Sequence, residues 1–264
     1  MRYTDCLLSE QVEGYLTRLE LTAPVSHDLD SLNRLLLAQL THIPFDSLDV
    51  WGAGICPSLA IADLYEKMIL RKRGGYCFEL NTLFRSLLNA LGFEAYQCAA
   101  YIIRPDGTLT PPSHNVILCL LDGKTYFVDV GYGGPVPFRA LELQEGIQHG
   151  FRLENRDGLW SLYRIEPEDD RPITAFRDIP ATIDDLTPLN FYVSQYPDIH
   201  FRHVIHVSLR NPDGSVFSLD GKELKLHTAG GTTVIPVETT AQLKDVLLTY
   251  FDIDPATVPL RDTL

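Results

Sequence analysis

Cys77 follows Arg73-Gly74-Gly75-Tyr76 and opens a run in which Leu80, Leu83, Phe84, Leu87, Leu88 and Leu91 recur at three- and four-residue steps. That spacing predicts a helix from Cys77 to Leu91, stopped by Gly92, with the thiol at its N-terminus. About half a positive charge of helix dipole stands at such an end, and Lys67, Arg71, Lys72 and Arg73 close the segment before it. Both features favour a thiolate, so Cys77 reads as a nucleophile. The same residues also suit a plainer reading, a small side chain beside a tight Gly-Gly turn and a solvated helix end.

A thiolate nucleophile needs a base. If Asp122-Gly123 is a two-residue hairpin turn, Leu121 faces Lys124 and Val116 faces Asp129, which makes His114 the diagonal neighbour of Asp129 on one sheet face. Diagonal pairs lie about 7–8 Å apart, within reach of an imidazole and a carboxylate meeting between them. Val116, Leu118, Leu120 and Phe127 make that face apolar, and a lone aspartate there is costly unless paired. Cys77, His114 and Asp129 therefore compose a Cys-His-Asp triad, in which the imidazole takes the thiol proton and the carboxylate orients the ring. A His-Asp pair that merely satisfies itself is the structural alternative.

Gly131-Tyr132-Gly133-Gly134 follows one residue after Asp129. Glycines there let the backbone approach a ligand and aim N–H groups at an anion or oxyanion, although strand-end glycines often only turn the chain. Tyr132 would face the same cleft. His200, His203 and His206 recur every third residue, a spacing that suits neither strand nor helix, so no metal site is expected. The cations from Lys67 to Arg73 are too few for nucleic acid but can meet the phosphates of a small ligand.

The elements that must position these groups follow from periodicity. Leu32, Leu35, Leu36 and Leu40 form one helical face, capped by Asp28 or Ser31. A loop with Pro44, Gly52, Gly54 and Pro57 leads to a second helix, capped by Ser58, striped by Ile61, Leu64, Tyr65, Met68 and Ile69, and ended by Gly74-Gly75. From Phe93 the period changes. Residues 95–103, 114–121, 124–130, 151–154 and 159–165 are β-rich, with Asp122-Gly123 and Asp157-Gly158 as hairpin turns, and predict an antiparallel sheet or barrel. Strand-like runs at 204–209, 216–219, 223–227 and 232–237, then a helix over 240–250, predict a small α+β unit.

Composition bounds the function. The 264 residues are 45% hydrophobic and 22% charged, ordinary globular usage that excludes a mainly disordered chain. A formal net charge of −13 repels a phosphate polymer, so nucleic acid is an unexpected partner. No apolar run reaches transmembrane length, and Asp5, Glu10, Glu13 and Glu20 occupy the place of a signal peptide, so the chain reads as soluble and cytoplasmic, without a membrane partner. Five cysteines without a CxxC pair indicate neither disulfides nor zinc, and Cys6, Cys56, Cys98 and Cys119 read as small buried apolar residues.

Arg73-Gly74-Gly75-Tyr76-Cys77-Phe78-Glu79-Leu80-Asn81 resembles the active-cysteine signature of the arylamine N-acetyltransferases. Residues 42–49, His-Ile-Pro-Phe-Asp-Ser-Leu-Asp, are similar to the family's Ile-Pro-Phe-Glu-Asn-Leu segment, and 128–134, Val-Asp-Val-Gly-Tyr-Gly-Gly, to its Val-Asp-Val-Gly-Phe-Gly segment. The intervals between Cys77, His114 and Asp129 agree with that family's triad. The resemblance implies an α+β multidomain fold with a papain-like core: a helical bundle over 1–85, an antiparallel β-barrel over 86–190 and an α/β lid over 191–264. It also implies a ping-pong enzyme that moves an acetyl group from acetyl-CoA through a Cys77 thioester to arylamines, arylhydrazines or arylhydroxylamines, without a metal. Phe45, Tyr132 and Phe201 match positions lining the acceptor pocket, residues from Thr110 to Ser113 line the same cleft, and Gly131, Gly133 and Gly134 lie near CoA. Asp46-Ser47 and Ser194-Gln195-Tyr196-Pro197 depart from the family pattern, the latter close to the acceptor pocket, and Trp51 with residues 52–57 can alter access to it. A papain- or transglutaminase-like hydrolase, an amide synthase acting on a carrier-bound acyl chain, and a module with an inert thiol are the alternatives.

Overall fold

The computed structural model describes residues 7–261. Helices α1 (Ser9–Arg18), α2 (Leu29–His42), α3 (Leu48–Ala53), α4 (Ile61–Tyr65) and α5 (Cys77–Ala90) fill the first third, with strand β1 (Phe45–Asp46) between α2 and α3. Asp28 caps α2 by accepting the Ser31 N–H at 2.7 Å. Every residue of α5 from Cys77 to Leu88 is buried, the mark of a helix enclosed on all sides rather than laid on a surface.

An eight-stranded antiparallel sheet follows: β2 (Glu94–Ile102), β3 (His114–Leu121), β4 (Lys124–Val128), β5 (Leu141–Glu142), β6 (Gly146–Gln148), β7 (Phe151–Arg156), β8 (Leu159–Arg164) and β9 (Arg171–Arg177). Its order, β5-β4-β3-β2-β9-β8-β7-β6, brings the chain-adjacent strands β5 and β6 to opposite ends. The Gln148 side chain stitches those ends, accepting from Glu142 N and donating to Glu142 O, so the barrel is nearly closed. After α6 (Ile183–Gln195) and the single turn α7 (His200–His203), strands β10 (His206–Arg210), β11 (Val216–Asp220), β12 (Glu223–Thr228) and β13 (Gly231–Pro236) and helix α8 (Thr240–Phe251) complete the chain. β1 pairs with β10, with Phe45 opposite Ser208, and Asp46 N–H donates to Gly75 O. One short strand thus ties the helices, the C-terminal sheet and the approach to Cys77 together.

Three apolar cores result. One surrounds α5, one fills the barrel, and one lies between the C-terminal sheet, α3 and α8. Among the described residues, no helix is long and apolar enough to cross a membrane.

The hairpin turns form as expected, with Asp122 (φ 51°) and Gly123 (φ 76°) both left-handed, as are Asp157 and Gly158. Several expectations need correction. The stretch over residues 44–57 is not all loop: α3 occupies part of it, because Gly52 is there for packing, not turning. A methyl group on Gly52 would come 1.7 Å from Pro259 O. Ala60, not Ser58, is the N-cap of α4; the Ser58 hydroxyl accepts from Ala60 N and donates to Asp63. Past Tyr65 the helix widens into one π-helical turn, Glu66–Leu70, and Lys72 (φ 51°), not Gly74-Gly75, reverses the chain. Cys98 and Cys119 are buried and Cys56 is half-buried, while Cys6 lies outside the described residues.

Candidate active site

Cys77 is the first residue of α5 and is 4% exposed. Its position is set from two sides. Glu79 reaches back to accept the Tyr76 N–H at 3.1 Å, fixing the helix start. Gly131 rests on the same turn, where a methyl group would come 2.7 Å from Cys77 Cα. Glycine at 131 is therefore a condition of close approach between the loop and the helix.

The β3–β4 register runs as the turn dictates, from Leu121 opposite Lys124 to Ile117 opposite Val128. Asp129 stands one residue past the last pair. Free of the ladder, its Oδ2 meets His114 Nε2 at 2.7 Å, and both side chains are buried. Its Oδ1 accepts from Gly131 N at 2.8 Å and from Asn81 Nδ2 at 3.0 Å. Burial pulls the His114 imidazole down, but the charge and hydrogen bond of Asp129, with the bond to and charge of Cys77, outweigh it and push it up to about 10. His114 and Asp129 are joined by a hydrogen bond, His114 lines the same cavity as Cys77, and the Cys77 thiol points to Ser113 O at 3.9 Å. Cys98 and Cys119, buried without such partners, are pushed up to about 12, the state of inert thiols.

A cavity of about 340 Å³ opens over the thiol, in the size range of small-molecule sites. His114, Ser113, Ile102, Val193 and Ile199 line it with the aromatic rings of Phe45, Tyr132 and Phe201, and Gly131, Gly133 and Gly134 form its floor beside Cys77. Phe45 and Phe201 stand 5.7 Å apart, and Tyr132 meets His114 edge-on at 5.8 Å.

Residues 28–258 match the family model described as N-acetyltransferase. The arylamine N-acetyltransferase of Mycolicibacterium smegmatis is 30% identical over 259 residues, covering 94% of each chain. The chain belongs to the arylamine N-acetyltransferase family. The solved structure of the family member from M. tuberculosis fits with a TM-score of 0.87 at 30% identity, covering 93% of this chain and 94% of that one. That of the Mycobacterium marinum arylamine N-acetyltransferase in complex with CoA fits at 0.86 and 29% identity, covering 93% of both.

Within this family member the structure gathers Phe45, Ser113, Tyr132, Phe201 and the three loop glycines around Cys77. Thr110 stands one step outside the cavity, its hydroxyl 2.9 Å from that of Ser113. Trp51 and residues 52–54 are removed from the cavity: Trp51 packs in the core under the C-terminal sheet. The histidines at 200, 203 and 206 separate in role. His203 faces Pro197 O, away from the cavity, while His200 and His206 both line it, His206 also contacting Gly133 O.

The cations before Cys77 do not support its charge as the sequence suggests. Arg73 is paired with Asp46 at 2.8 Å and Asp49 at 3.0 Å, Lys67 with Asp49 and Glu79 at 2.7 Å each, and Arg71 with Glu66. The charges of these three are answered locally and Lys72 is exposed, which leaves the helix end and His114 as the support for a thiolate.

Asn81 is a positioning residue that residue types alone do not single out. One turn after Cys77 on the same helix, it donates to Asp129 Oδ1 and to Asn115 O (2.7 Å) and accepts from Val130 N (3.0 Å). Its i+4 spacing from the cysteine is the signal that finds it. Asn81→Ala leaves buried partners short of hydrogen bonds, so a loss of about 2–4 kcal/mol of stability is expected. Urea unfolding measures it, and the alkylation rate of Cys77 should fall in parallel because Asp129 loses a support.

Proposed function

We propose that Cys77, His114 and Asp129 are the catalytic triad of an enzyme that transfers acetyl groups from acetyl-CoA to arylamines, and by the same route to arylhydrazines and arylhydroxylamines. The observation that carries this reading is the thiol at the N-terminus of α5, inside an aromatic cavity, with His114 held against Asp129 at 2.7 Å. His114 takes the thiol proton. The Cys77 sulfur then attacks the acetyl carbonyl, an S–C bond forms to Cys77, the C–S bond to CoA breaks, and His114 returns the proton to the leaving thiolate. In the second half the amine nitrogen attacks the thioester, an N–C bond forms, the C–S bond to Cys77 breaks, and His114 takes the amine proton. Asp129 keeps the imidazole in the orientation both halves need.

Phe45, Tyr132 and Phe201 are the acceptor walls in this reading, with Ser113 beside the thiol and Thr110 holding Ser113. The residues present fit a thioester donor. Gly133 and Gly134 are cradle positions, where a methyl group would come 2.9 Å from the rings of Phe45 and Tyr132 respectively, so backbone alone faces the ligand at Gly131, Gly133 and Gly134. A helical unit over 1–85, a barrel unit over 86–190 and a lid over 191–264 is the division we adopt, with α5 and α6 crossing its boundaries. Free thiols at Cys56, Cys77, Cys98 and Cys119 suit a reducing, cytoplasmic compartment.

Initial-rate kinetics with acetyl-CoA and an aniline acceptor test the cycle. Parallel double-reciprocal lines are expected; intersecting lines would replace the acetyl-enzyme route with direct transfer in a ternary complex.

A further inference from the structure

An acidic chain that uses CoA must meet the donor's phosphates with local cations, and the structure offers one beside the glycine loop. Arg210 ends β10 as a half-buried side chain. Nη2 donates to Gly134 O at 2.6 Å, and the guanidinium lies 4.6 Å from the centre of the Phe138 ring. The other N–H groups of its fork have no protein acceptor among the described residues, and no described carboxylate is paired with it. The charge that bears on it is another cation, Arg164, at the end of β8 on the barrel side. Arg164 is itself paired with Glu166 at 3.7 Å, which leaves Arg210 as the cation that holds the glycine loop without a carboxylate of its own.

A half-buried cation without a counter-ion is costly. Burial, with the Arg164 charge added, pulls Arg210 down to about 10, the direction an arriving anion reverses. The distance also suits a donor thioester seated at Cys77. Gly131 lies against Cys77, Arg210 holds Gly134, and the three residue steps from Gly131 to Gly134 span at most about 11 Å. That places the guanidinium within a pantetheine arm's length of the thiol.

We infer that Arg210 is the anion subsite that takes a phosphate of the acyl-CoA diphosphate. The inference rests on the acetyl-CoA reading above and adds the residue that recognises the nucleotide end of the donor. Arginine suits the role because its planar fork can give two donors to one phosphate while a third holds Gly134 O.

The test compares Arg210→Gln and Arg210→Lys with the wild type in two measurements: CoA affinity by calorimetry, and single-turnover acetylation of Cys77 by intact mass. The second uses acetyl-CoA and the phosphate-free thioester S-acetyl-N-acetylcysteamine. Arg210→Gln is expected to weaken CoA binding about 10- to 100-fold, the range of a lost charge-assisted bond. It is expected to lower the preference for acetyl-CoA over the phosphate-free donor by a similar factor. Arg210→Lys should fall between. Equal losses on both donors, or unchanged CoA affinity, would overturn the inference and leave Arg210 as a prop for Gly134. If wild-type protein neither binds CoA nor takes its acetyl group, the acetyltransferase reading itself fails, a result distinct from an unchanged donor preference.

Discussion

Asp129→Asn is expected to slow acetylation of Cys77 by roughly 10³- to 10⁴-fold, the cost of a misoriented base in triads of this kind, without unfolding the protein. The hydrogen bonds dictate the mechanism of that loss. Oδ1 of Asp129 accepts from two donors, Gly131 N–H and Asn81 Nδ2. An asparagine must keep its oxygen there, which turns its NH₂ group toward His114 Nε2. The ring then has to accept at Nε2 and carry its proton on Nδ1, the nitrogen left to face the thiol. That tautomer cannot take the thiol proton. Single-turnover acetylation checks the rate, and circular dichroism checks that the fold persists. A loss below tenfold would mean that Asp129 serves packing only.

His114→Ala is expected to lower acetylation by at least about 10⁴-fold, as removal of the base does in thiol and serine triads, and to change the pH profile of Cys77 alkylation. His114 is held up at about 10, with burial opposed and outweighed by Asp129 and Cys77. The imidazolium therefore persists across neutral pH and supports a thiolate. Wild-type protein should react with iodoacetamide rapidly at pH 6. The variant should react slowly there and recover only toward the ~8.5 of a free thiol. The stability linkage has the same origin. The folded value lies above the ordinary imidazole value of about 6.5, so the contribution of His114 is present in full below about pH 6.5. It is lost as pH rises through about 10. In wild type, thermal stability should decline across that window, and the decline should shrink in the variant. An identical alkylation profile in the two proteins would remove His114 from the site.

How much of this is legible in the sequence depends on what each element rests on. α5 and the β3–β4 hairpin are readable because period and turn chemistry agree: the leucine spacing ends at Gly92, and Asp122-Gly123 sets the register that brings His114 to Asp129. Elements held by distant partners are not. α3 contains Gly52, a helix-weakening residue whose reason is the carbonyl of Pro259. α6 contains Pro188, and β9 contains Pro172, accommodated by a shift in register against β8 at Leu162 and Tyr163; both prolines argue locally against the element they sit in. The cations before Cys77 illustrate a different limit. Their proximity in sequence suggests support for the thiolate, yet Asp46 and Asp49, two dozen residues upstream, answer Arg73. Conversely, Arg210 looks ordinary in sequence and matters because the fold brings it to Gly134 without a carboxylate.

The central claim is that Cys77 carries the acetyl group. Intact-mass measurement after brief exposure to acetyl-CoA, with no amine present, tests it most directly. The wild-type chain should gain a single acetyl group, located on Cys77 by peptide mapping and discharged when an arylamine is added, and Cys77→Ala should gain none. No adduct on wild type, an adduct on another residue, or one that persists after amine is added would contradict the account.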